Sequence, residues 1–507
     1  MNKVTKAIKA TLWVCKDLSG YLHLKNKVRL PNEEGKSPST IVLWVVAVYV
    51  AIYGLATNRY ENRLDRIENQ INAFYAQLGG PTFRSALTRI PSLQNFKLPI
   101  KPEIHNPVSV MQSFFIDRVD MESREELSLF VESLFRDGAE TEANTILVNL
   151  PLDGIDLSKR YLPGLSIKGL GLKEANFDQS RMVGRFDYSD LEGAKFSNLS
   201  SSGLIFAHSN LNSVSFENSE FRLFEFYFDD DTDKCWNFKS LSSDIASAVC
   251  HNDPTSNLNF SGLKAFGSKF ENVHISNSNF ENISSLNGIN PIDSDNPAYD
   301  TNFDFINVKL KEVSFQDSNL RSSNFINFHH YGVTFERSDL SNSTFKNGDL
   351  SFTNFRRSNL RNAKLINVEF GTITSARDSK GNHFENISNN TFLGANMEGM
   401  VFKNSNIGAS FNNVSLVGSA FICSRIISST FKNSDLRNVD FSNTTIEGTN
   451  FIGAKNLNVA AFSSTIGLIS SLLPHNILDE LQRQRPDLFI ETDRDKVYAM
   501  AQEKCGA

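Results

Sequence analysis

Residues 333–370 read VTFERSDLSNSTFKNGDLSFTNFRRSNLRNAKLINVEF, and in this stretch a large apolar residue returns at every fifth position. The residues at these positions are Phe335, Leu340, Phe345, Leu350, Phe355, Leu360, Leu365 and Phe370. A helix repeats its inward face every 3.6 residues and a strand every 2, so a sustained period of five fits neither. A fixed period with recurring residue types is typical of a solenoid.

The same step extends, with one-residue slips, from Leu152 to Phe451. A small or aliphatic residue stands two positions before most of the large ones, and the positions between are mostly Asn, Ser, Asp, Lys or Gly. This pattern predicts short straight segments joined by turns, with the large residues filling a common axis and coils stacking at about 4.8 Å. Ser201 and His330 interrupt the apolar series, and we expect His330 at a coil edge or in a distorted turn rather than as a ligand.

Several quintets resemble the consensus A(D/N)LXX of the pentapeptide-repeat proteins. They are SNLRS (318–322), SDLSN (338–342), SNLRN (358–362), AKLIN (363–367) and SDLRN (434–438). The resemblance covers residues 152–456, although Phe is used far more often than the consensus Leu. It implies a mainly β fold, a right-handed quadrilateral β-helix with four quintets per coil. About 300 residues at twenty per coil imply about fifteen coils and a rod of about 70 Å, shortened by the insertions.

Three insertions interrupt the predicted β-helix of residues 151–456, at 227–257, 285–302 and 374–390. Loops that leave a regular scaffold are frequent partner-binding sites, and the alternative is that the three insertions have no binding role. The first insertion holds Cys235 and Cys250, which we predict to be a disulfide outside the cytoplasm and two thiols inside it. It also holds Asp229, Asp231 and Asp233, which have the opening spacing of a calcium loop. Lys234 and Ser240 replace the glycine and glutamate that such a loop needs, so we predict a solvated acidic loop and no metal site.

The N-terminal region divides into a basic tail (1–37) and an uncharged segment (38–57) long enough to cross a bilayer. A buried helix or a membrane-surface helix is the alternative. Eight Lys or Arg residues precede the segment, which predicts a cytoplasmic N-terminus and a repeat domain outside a bacterial-type inner or plasma membrane.

Residues 58–78 carry a heptad-spaced apolar seam, formed by Tyr60, Leu64, Ile67, Ile71, Phe74 and Leu78. The seam predicts either homo-oligomerisation through a short coiled coil or a helix lying on its own domain. Residues 79–150 read as a proline-rich, linker-like segment (91–107) followed by two short helices in 123–149, with a capping box at Ser123 and Glu126. These helices and the C-terminal segment 457–507 are expected to cap the two ends of the solenoid, whose end coils would otherwise be open.

The composition of the 507-residue chain narrows its function. Net charge is −6, and five cysteines form no CxxC pair, so neither a nucleic-acid binder nor a structural zinc site is indicated. The motifs of serine hydrolases, zinc peptidases and P-loop enzymes are missing, and we expect a non-enzymatic protein without a cofactor. The favoured interpretation is a membrane-anchored scaffold that binds a protein partner. The alternatives are a membrane-associated effector or a DNA mimic that acts on a topoisomerase, which family analogy suggests. A mimic needs dense negative charge, yet residues 151–460 hold 34 acidic against 28 basic residues.

Overall fold

The computed structural model describes residues 40–78, 81–138, 150–221, 224–227, 235–238, 247–250, 255–265, 268–271, 273–276, 278–281, 283–285, 303–370, 375–377, 383–385, 390–489 and 493–506. The chain divides into two compact units. One comprises the residues up to Ala76 together with Asn95–Met121, and the other comprises Gln77–Gln94 and the residues from Glu122 onward.

The first unit is built on one long helix, α1 (Thr40–Leu78), which ends just before Gly79. An antiparallel pair of strands, Lys97–Pro99 and Asp117–Val119, packs beside its C-terminal half together with α4 (Pro107–Phe115). The carboxamide of Asn106 accepts hydrogen bonds from the backbone N–H groups of Val108 and Ser109, and Pro107 follows it at the first helical position. This combination is a strong helix start.

The second unit is a β-helix with short helices at both ends. The helices are α2 (Phe83–Leu87), α3 (Ile90–Gln94) and α5 (Met121–Gly138) before the rod, and α6 (His475–Gln484) and α7 (Arg494–Cys505) after it. Two 3₁₀ turns lie at Val459–Phe462 and Pro486–Phe489. The strands of the rod form one parallel sheet within the described part of the chain: Tyr161–Lys168, Arg181–Asp187, Ser200–Ala207, Glu220–Phe221, Phe224–Tyr227, Thr255–Ser256, Lys264–Ala265, Ser268–Glu271, His274–Ser276, Ser284–Ser285, Phe303–Ile306, Lys309–Lys311, Asn324–Ile326, His329–Tyr331, Thr344–Ser351, Lys364–Glu369, Val401–Lys403, Asn406–Ile407, Ala420–Ile422, Arg425–Ile427, Thr445–Glu447 and Gly467–Ile469.

Four quintets make one coil, so the rod has four faces. We number them by the core residue that each contributes in one coil: Phe335 for face 1, Leu340 for face 2, Phe345 for face 3 and Leu350 for face 4. Strands on the same face pair in parallel, and residues twenty apart lie opposite each other, as Phe325 lies opposite Phe345 and His330 opposite Leu350. The sequence period of five thus becomes a spatial period of one face.

Face 1 contributes an unbroken stack of twelve phenylalanine rings. The rings are Phe177, Phe196, Phe216, Phe260, Phe280, Phe315, Phe335, Phe355, Phe392, Phe411, Phe431 and Phe451, and neighbouring centroids are 4.6 to 5.1 Å apart. All twelve are buried. Because the rings stack at the strand spacing, each added coil buries its ring on the one before it.

Several serines that stand two positions before a core residue have a hydrogen-bonding role that the apolar pattern alone does not predict. The Ser219 hydroxyl accepts a hydrogen bond from the backbone N–H of Leu199 at 3.0 Å and donates to the carbonyl oxygen of Phe196 at 2.6 Å. Ser318 repeats the arrangement with Ile283 and Phe280. Such serines link neighbouring coils and satisfy buried backbone groups at the corners.

The insertions leave the rod without interrupting the hydrogen bonds between neighbouring coils. Hydrogen bonds between neighbouring coils normally join residues about 20 apart, but across the three insertions they join residues 44, 35 and 37 apart. Two insertions contain antiparallel hairpins, Cys235–Phe238 with Ser247–Cys250 and Ser375–Arg377 with His383–Glu385. The insertions leave at three different corners, between faces 3 and 4, faces 2 and 3, and faces 4 and 1.

Several expectations about the flanking regions were wrong. The proline-rich segment 91–107 is folded, because Pro91 and Pro107 lie at helix starts and Pro99 lies at a strand end, and these positions tolerate proline. Helix α5 already begins at Met121, so Ser123 lies inside its first turn and not at the N-cap position that was predicted for it. The rod continues past Asn456, since Leu468 pairs with Ile446 and a last bridge joins Asn450 to Leu472. The twelve-ring stack shows fewer coils than fifteen, because the insertions remove residues from the regular path.

His330 does not lie at a coil edge. Its side chain points into the core of face 4, between Leu310 and Leu350 of the neighbouring coils, and is only 2% exposed. The imidazole fills the volume that leucine fills in the next coils, so the coil stays regular. Ser201 is likewise buried and its hydroxyl accepts a hydrogen bond from the Gly203 backbone N–H.

Candidate membrane and partner-binding surfaces

The first half of α1 presents apolar side chains on all sides. Residues 41–46, 48, 50 and 55 are exposed valine, isoleucine, leucine or tryptophan. The helix is long and apolar enough to span a membrane. A helix that is apolar all round and not covered by its own protein is typical of a membrane span.

The seam residues of α1 contact the same chain. Ile67 and Ile71 are buried with Leu98, and Tyr60, Leu64, Tyr75 and Phe96 pack against this cluster. Phe74 is fully buried, and Leu78 is partly exposed. This packing corresponds to a helix lying on its own domain. A coiled coil between two chains is not shown, and pairing through residues 58–78 stays a prediction.

The N-terminal end of the rod is closed by polar side chains of the short helices. The buried Gln94 accepts a hydrogen bond from the Asp156 backbone N–H at 2.7 Å and donates one to the Asp156 carbonyl at 2.9 Å. Ser128 also donates to that carbonyl, and Arg124 forms an ion pair with the buried Asp156 carboxylate. The amide of Gln94 therefore replaces the missing neighbouring coil, and an edge that would template aggregation is covered.

The C-terminal end is closed by α6, α7 and a guanidinium. Arg485 donates hydrogen bonds to the carbonyl oxygens of Phe462, Ser463 and Thr465 in the last coil. From α7, Arg494 and Tyr498 both bond to the carboxylate of Glu447 on the rod. Because Glu447 is almost completely buried, its charge needs such partners.

Two pairs of cysteines are brought together. Cys423, on the rod, and Cys505, at the end of α7, form a disulfide that ties the C-terminal cap to the coil beneath it. This pair could not be predicted from the sequence, because 82 residues separate the two cysteines. Cys235 and Cys250 lie opposite each other in the hairpin of the first insertion. Opposed residues of antiparallel strands have Cα separations that a disulfide accepts, and a bond between these two cysteines stays a prediction.

Face 2 carries a polar groove of about 320 Å³ lined by Arg321, Asp339, Ser341, Asn342, Asn359, Arg361 and Asn362. The Asp339 carboxylate accepts hydrogen bonds from the Asn359 amide at 3.0 Å and the Ser341 backbone N–H at 3.0 Å. Neither Arg321 nor Arg361 has an ion-pair partner among the described residues. The groove thus offers two free guanidinium groups, two coils apart, on either side of a carboxylate that already has partners.

The described residues hold no group of three or more His, Cys, Asp or Glu side chains arranged for a metal ion. The acidic stretch from Asp229 to Asp233 lies outside the described residues, as do the basic tail and Cys15. Burial lowers the pKa of His330 to about 3, so the imidazole is neutral at physiological pH. Its surroundings are aromatic rings, at 4.6 Å from the centroid of Phe328 and 5.5 Å from that of Phe325.

Comparison with known proteins agrees with the repeat pattern. The model of the family described as pentapeptide repeats matches eight copies, in residues 332–371 and 421–455. The chain is similar to the crystal structure of HetL, a pentapeptide repeat protein involved in heterocyst differentiation regulation from the cyanobacterium Nostoc, with 12% identity over 68% of this chain and 93% of HetL and a TM-score of 0.20. It is also similar to full-length QnrB1, a plasmid-mediated fluoroquinolone resistance protein, with 15% identity over 36% of this chain and 91% of that one and a TM-score of 0.21. No curated protein matches the chain.

The period of five, the four-faced parallel sheet and the family match define the class. The chain contains pentapeptide repeats, which the family model matches in residues 332–371 and 421–455, and an N-terminal helix that is apolar and long enough to cross a membrane.

Proposed function

We propose that the chain is a membrane-anchored, non-enzymatic scaffold that presents its pentapeptide-repeat rod to a protein partner. The observation that carries the proposal is the exposed apolar half of α1 in the same chain as a long rod whose apolar residues are almost all inside. Such a helix needs lipid around it, whereas the rod offers water an ordered polar surface.

We propose that the N-terminus is cytoplasmic and that the rod lies outside a bacterial-type inner or plasma membrane. The lysine-rich tail supports this orientation. The cysteines support it as well, because Cys423 and Cys505 are bonded and Cys235 and Cys250 are in register, while Cys15 alone precedes the helix. Disulfides persist in oxidising compartments and are rare in the cytosol.

Fractionation and thiol labelling of intact cells test the anchor and its orientation. We expect the full-length chain in the membrane fraction after alkaline carbonate washing. A membrane-impermeant maleimide should label the rod cysteines only after external reduction, and Cys15 only after lysis. A soluble full-length chain would overturn the anchor, and free rod thiols in unreduced protein would overturn the orientation.

We further propose that the face 2 groove binds a carboxylate-bearing segment of the partner. Arg321 and Arg361 supply free guanidinium groups there, and arginine binds carboxylates in a bidentate manner. None of the three insertions leaves the rod at the corner between faces 1 and 2. An extended segment of the partner that lies on face 2 therefore meets no insertion along that corner.

Charge reversal tests the groove. The double variant Arg321→Glu, Arg361→Glu should lose the partner that crosslinks to the wild-type rod in intact cells. The matched control is Lys346→Glu, Lys364→Glu, which makes the same charge change at exposed positions on the neighbouring face 3. Equal capture by both variants would exclude the groove and leave the membrane anchor unaffected.

A further inference from the structure

Helix α4 (Pro107–Phe115) exposes the side that a water-soluble helix would bury. Val108, Met111 and Phe115 follow one another at intervals of three and four residues, so they form one stripe. They are exposed by 62%, 43% and 80%. The buried positions of the same helix are Ser109, Val110 and Ser113. A helix that turns serine inward and phenylalanine outward is suited to apolar surroundings rather than to water.

Two polar contacts fix α4 alongside the apolar half of α1. The Tyr49 hydroxyl donates a hydrogen bond to the Ile104 carbonyl at 2.7 Å. Ten residues further along α1, Arg59 donates to the Ser113 carbonyl at 2.7 Å and pairs with Asp117 at 3.1 Å. Ten helical residues rise about 15 Å, so the segment from Ile104 to Asp117 lies along that length of α1.

The stripe therefore continues an apolar surface that already exists. Exposed valine, leucine and tryptophan residues of α1 lie on the N-terminal side of Tyr49 along the helix axis. Ile104 lies beside Tyr49 and is more than half exposed. We propose that the stripe formed by Ile104, Val108, Met111 and Phe115 is a second lipid-contact surface, embedded at the boundary between acyl chains and headgroups. The inference rests on the membrane anchor proposed above.

Charged residues at both ends of the segment set its depth. Glu103 pairs with His105 at one end, and Asp117 pairs with Arg59 at the other. Both pairs need headgroups or water, which limits burial to the 5–10 Å that is typical of interfacial helices. A tilt of α1 or a local thinning of the bilayer accommodates this depth at small cost.

Site-specific photocrosslinking in vesicles tests the proposal. The full-length chain carries p-benzoylphenylalanine at one position and is reconstituted in phosphatidylethanolamine and phosphatidylglycerol with a tracer of alkyne-tagged phosphatidylcholine. We expect lipid adducts from positions 111 and 115, and at least tenfold fewer from the control position 118, where exposed Arg118 follows the stripe.

A probe at position 45, in the exposed part of α1, separates the two proposals. Lipid adducts at 45 together with those at 111 and 115 support the second contact surface. Adducts at 45 with none at 115 overturn it and leave the anchor standing, and no adducts at any position overturn the anchor itself. A crosslinked dimer from position 115 in place of lipid adducts would show that a second copy of the chain covers the stripe, and would also overturn the proposal.

Discussion

At position 330 the rod carries an imidazole where the coils on either side carry leucine. Neither ring nitrogen of His330 has a hydrogen-bond partner within the described residues, and the ring is surrounded by Phe325, Phe328, Phe335 and Phe345. A buried polar group without a partner costs about 1–3 kcal/mol. The coil is held by its neighbours strongly enough to accept this cost.

Replacing His330 by leucine should therefore stabilise the rod, by about 1–3 kcal/mol at pH 7. The gain should grow in acid. The folded pKa of His330, about 3, lies below the unfolded value of 6.5, so the folded state binds fewer protons and loses stability as the pH falls from 6.5 towards 3. The loss approaches about 5 kcal/mol at the acid end of this window.

Urea-unfolding midpoints of the wild type and His330→Leu at pH 7 and pH 4.5 measure both effects. The control is His329→Leu, since His329 is the exposed neighbour on the same strand. A wild type as stable as His330→Leu at both pH values would contradict the prediction.

A second residue-scale feature lies two residues before His330. Phe328 occupies the position that holds a small residue in most coils. The equivalent position in the next coil holds Gly348. A Cβ added to Gly348 would lie 2.5 Å from atoms of the Phe328 ring, which is closer than atoms can pack. The two residues are thus a complementary pair in neighbouring coils.

Gly348→Ala should destabilise the rod by about 1–3 kcal/mol because of this overlap. The double variant Phe328→Ala, Gly348→Ala should show a smaller penalty for the alanine at 348 than the single variant does. Thermal unfolding of the four proteins in a double-mutant cycle measures the coupling. Additive effects would show that the ring and the glycine are independent.

At the scale of the structural element, the turn after each strand requires a left-handed residue. Asn307, Asn327, Asn347 and Asn367 have φ values of 52° to 56° at one corner. Their side-chain amides also form a ladder, in which Asn347 donates to Asn327 at 3.2 Å and accepts from Asn367 at 2.9 Å. Asparagine suits this corner because it tolerates the left-handed region and bonds to its copies above and below.

Two substitutions at position 347 separate the backbone effect from the ladder. Asn347→Gly removes the side-chain hydrogen bonds but keeps the left-handed turn accessible, whereas Asn347→Ala also incurs the Cβ penalty of about 1 kcal/mol or more. We expect alanine to lower the unfolding midpoint further than glycine does. If glycine proves the more damaging substitution, backbone conformation does not govern this corner.

At the scale of the whole molecule, the rod is nearly one-dimensional, so its ends matter more than any single coil. Each coil contacts only its neighbours, and an uncapped end can fray or pair with another chain. The Cys423–Cys505 disulfide closes a loop with a sequence separation of 82 residues across the C-terminal cap. A loop of that size constrains the unfolded chain by up to about 4.5 kcal/mol in the chain-entropy model.

Cys505→Ser should lower the unfolding midpoint and make the last coils the first to exchange backbone hydrogens. The control is Cys15→Ser, which removes a cysteine that precedes helix α1. Hydrogen exchange read by mass spectrometry locates the effect. Unchanged protection of residues 420–473 in Cys505→Ser would show that Arg485 and the Glu447 contacts close the end without the disulfide.

The sequence predicted the rod because every quintet repeats the same local rule: a large apolar residue inward, a small one at the corner and a turn-forming residue after it. This rule concerns contacts between neighbouring coils, so it is visible as a period in the sequence. The family resemblance and the core residues on all four faces follow from that period. The uncharged segment of residues 38–57 is equally visible, because its composition alone suits a bilayer.

Features that depend on residues far apart in the chain came only from the tertiary structure. The Cys423–Cys505 bond, the Gln94 amide on Asp156 and the burial of His330 each require knowing which coil or helix end lies beside which residue. Helix α4 shares only Pro107 with the predicted linker-like segment 91–107, and the sequence analysis made no prediction of its exposed apolar stripe. The amino-acid sequence determines the short-range period directly. The closure of the two ends of the rod and the exposure of the α4 stripe depend on contacts between segments that are distant in the sequence.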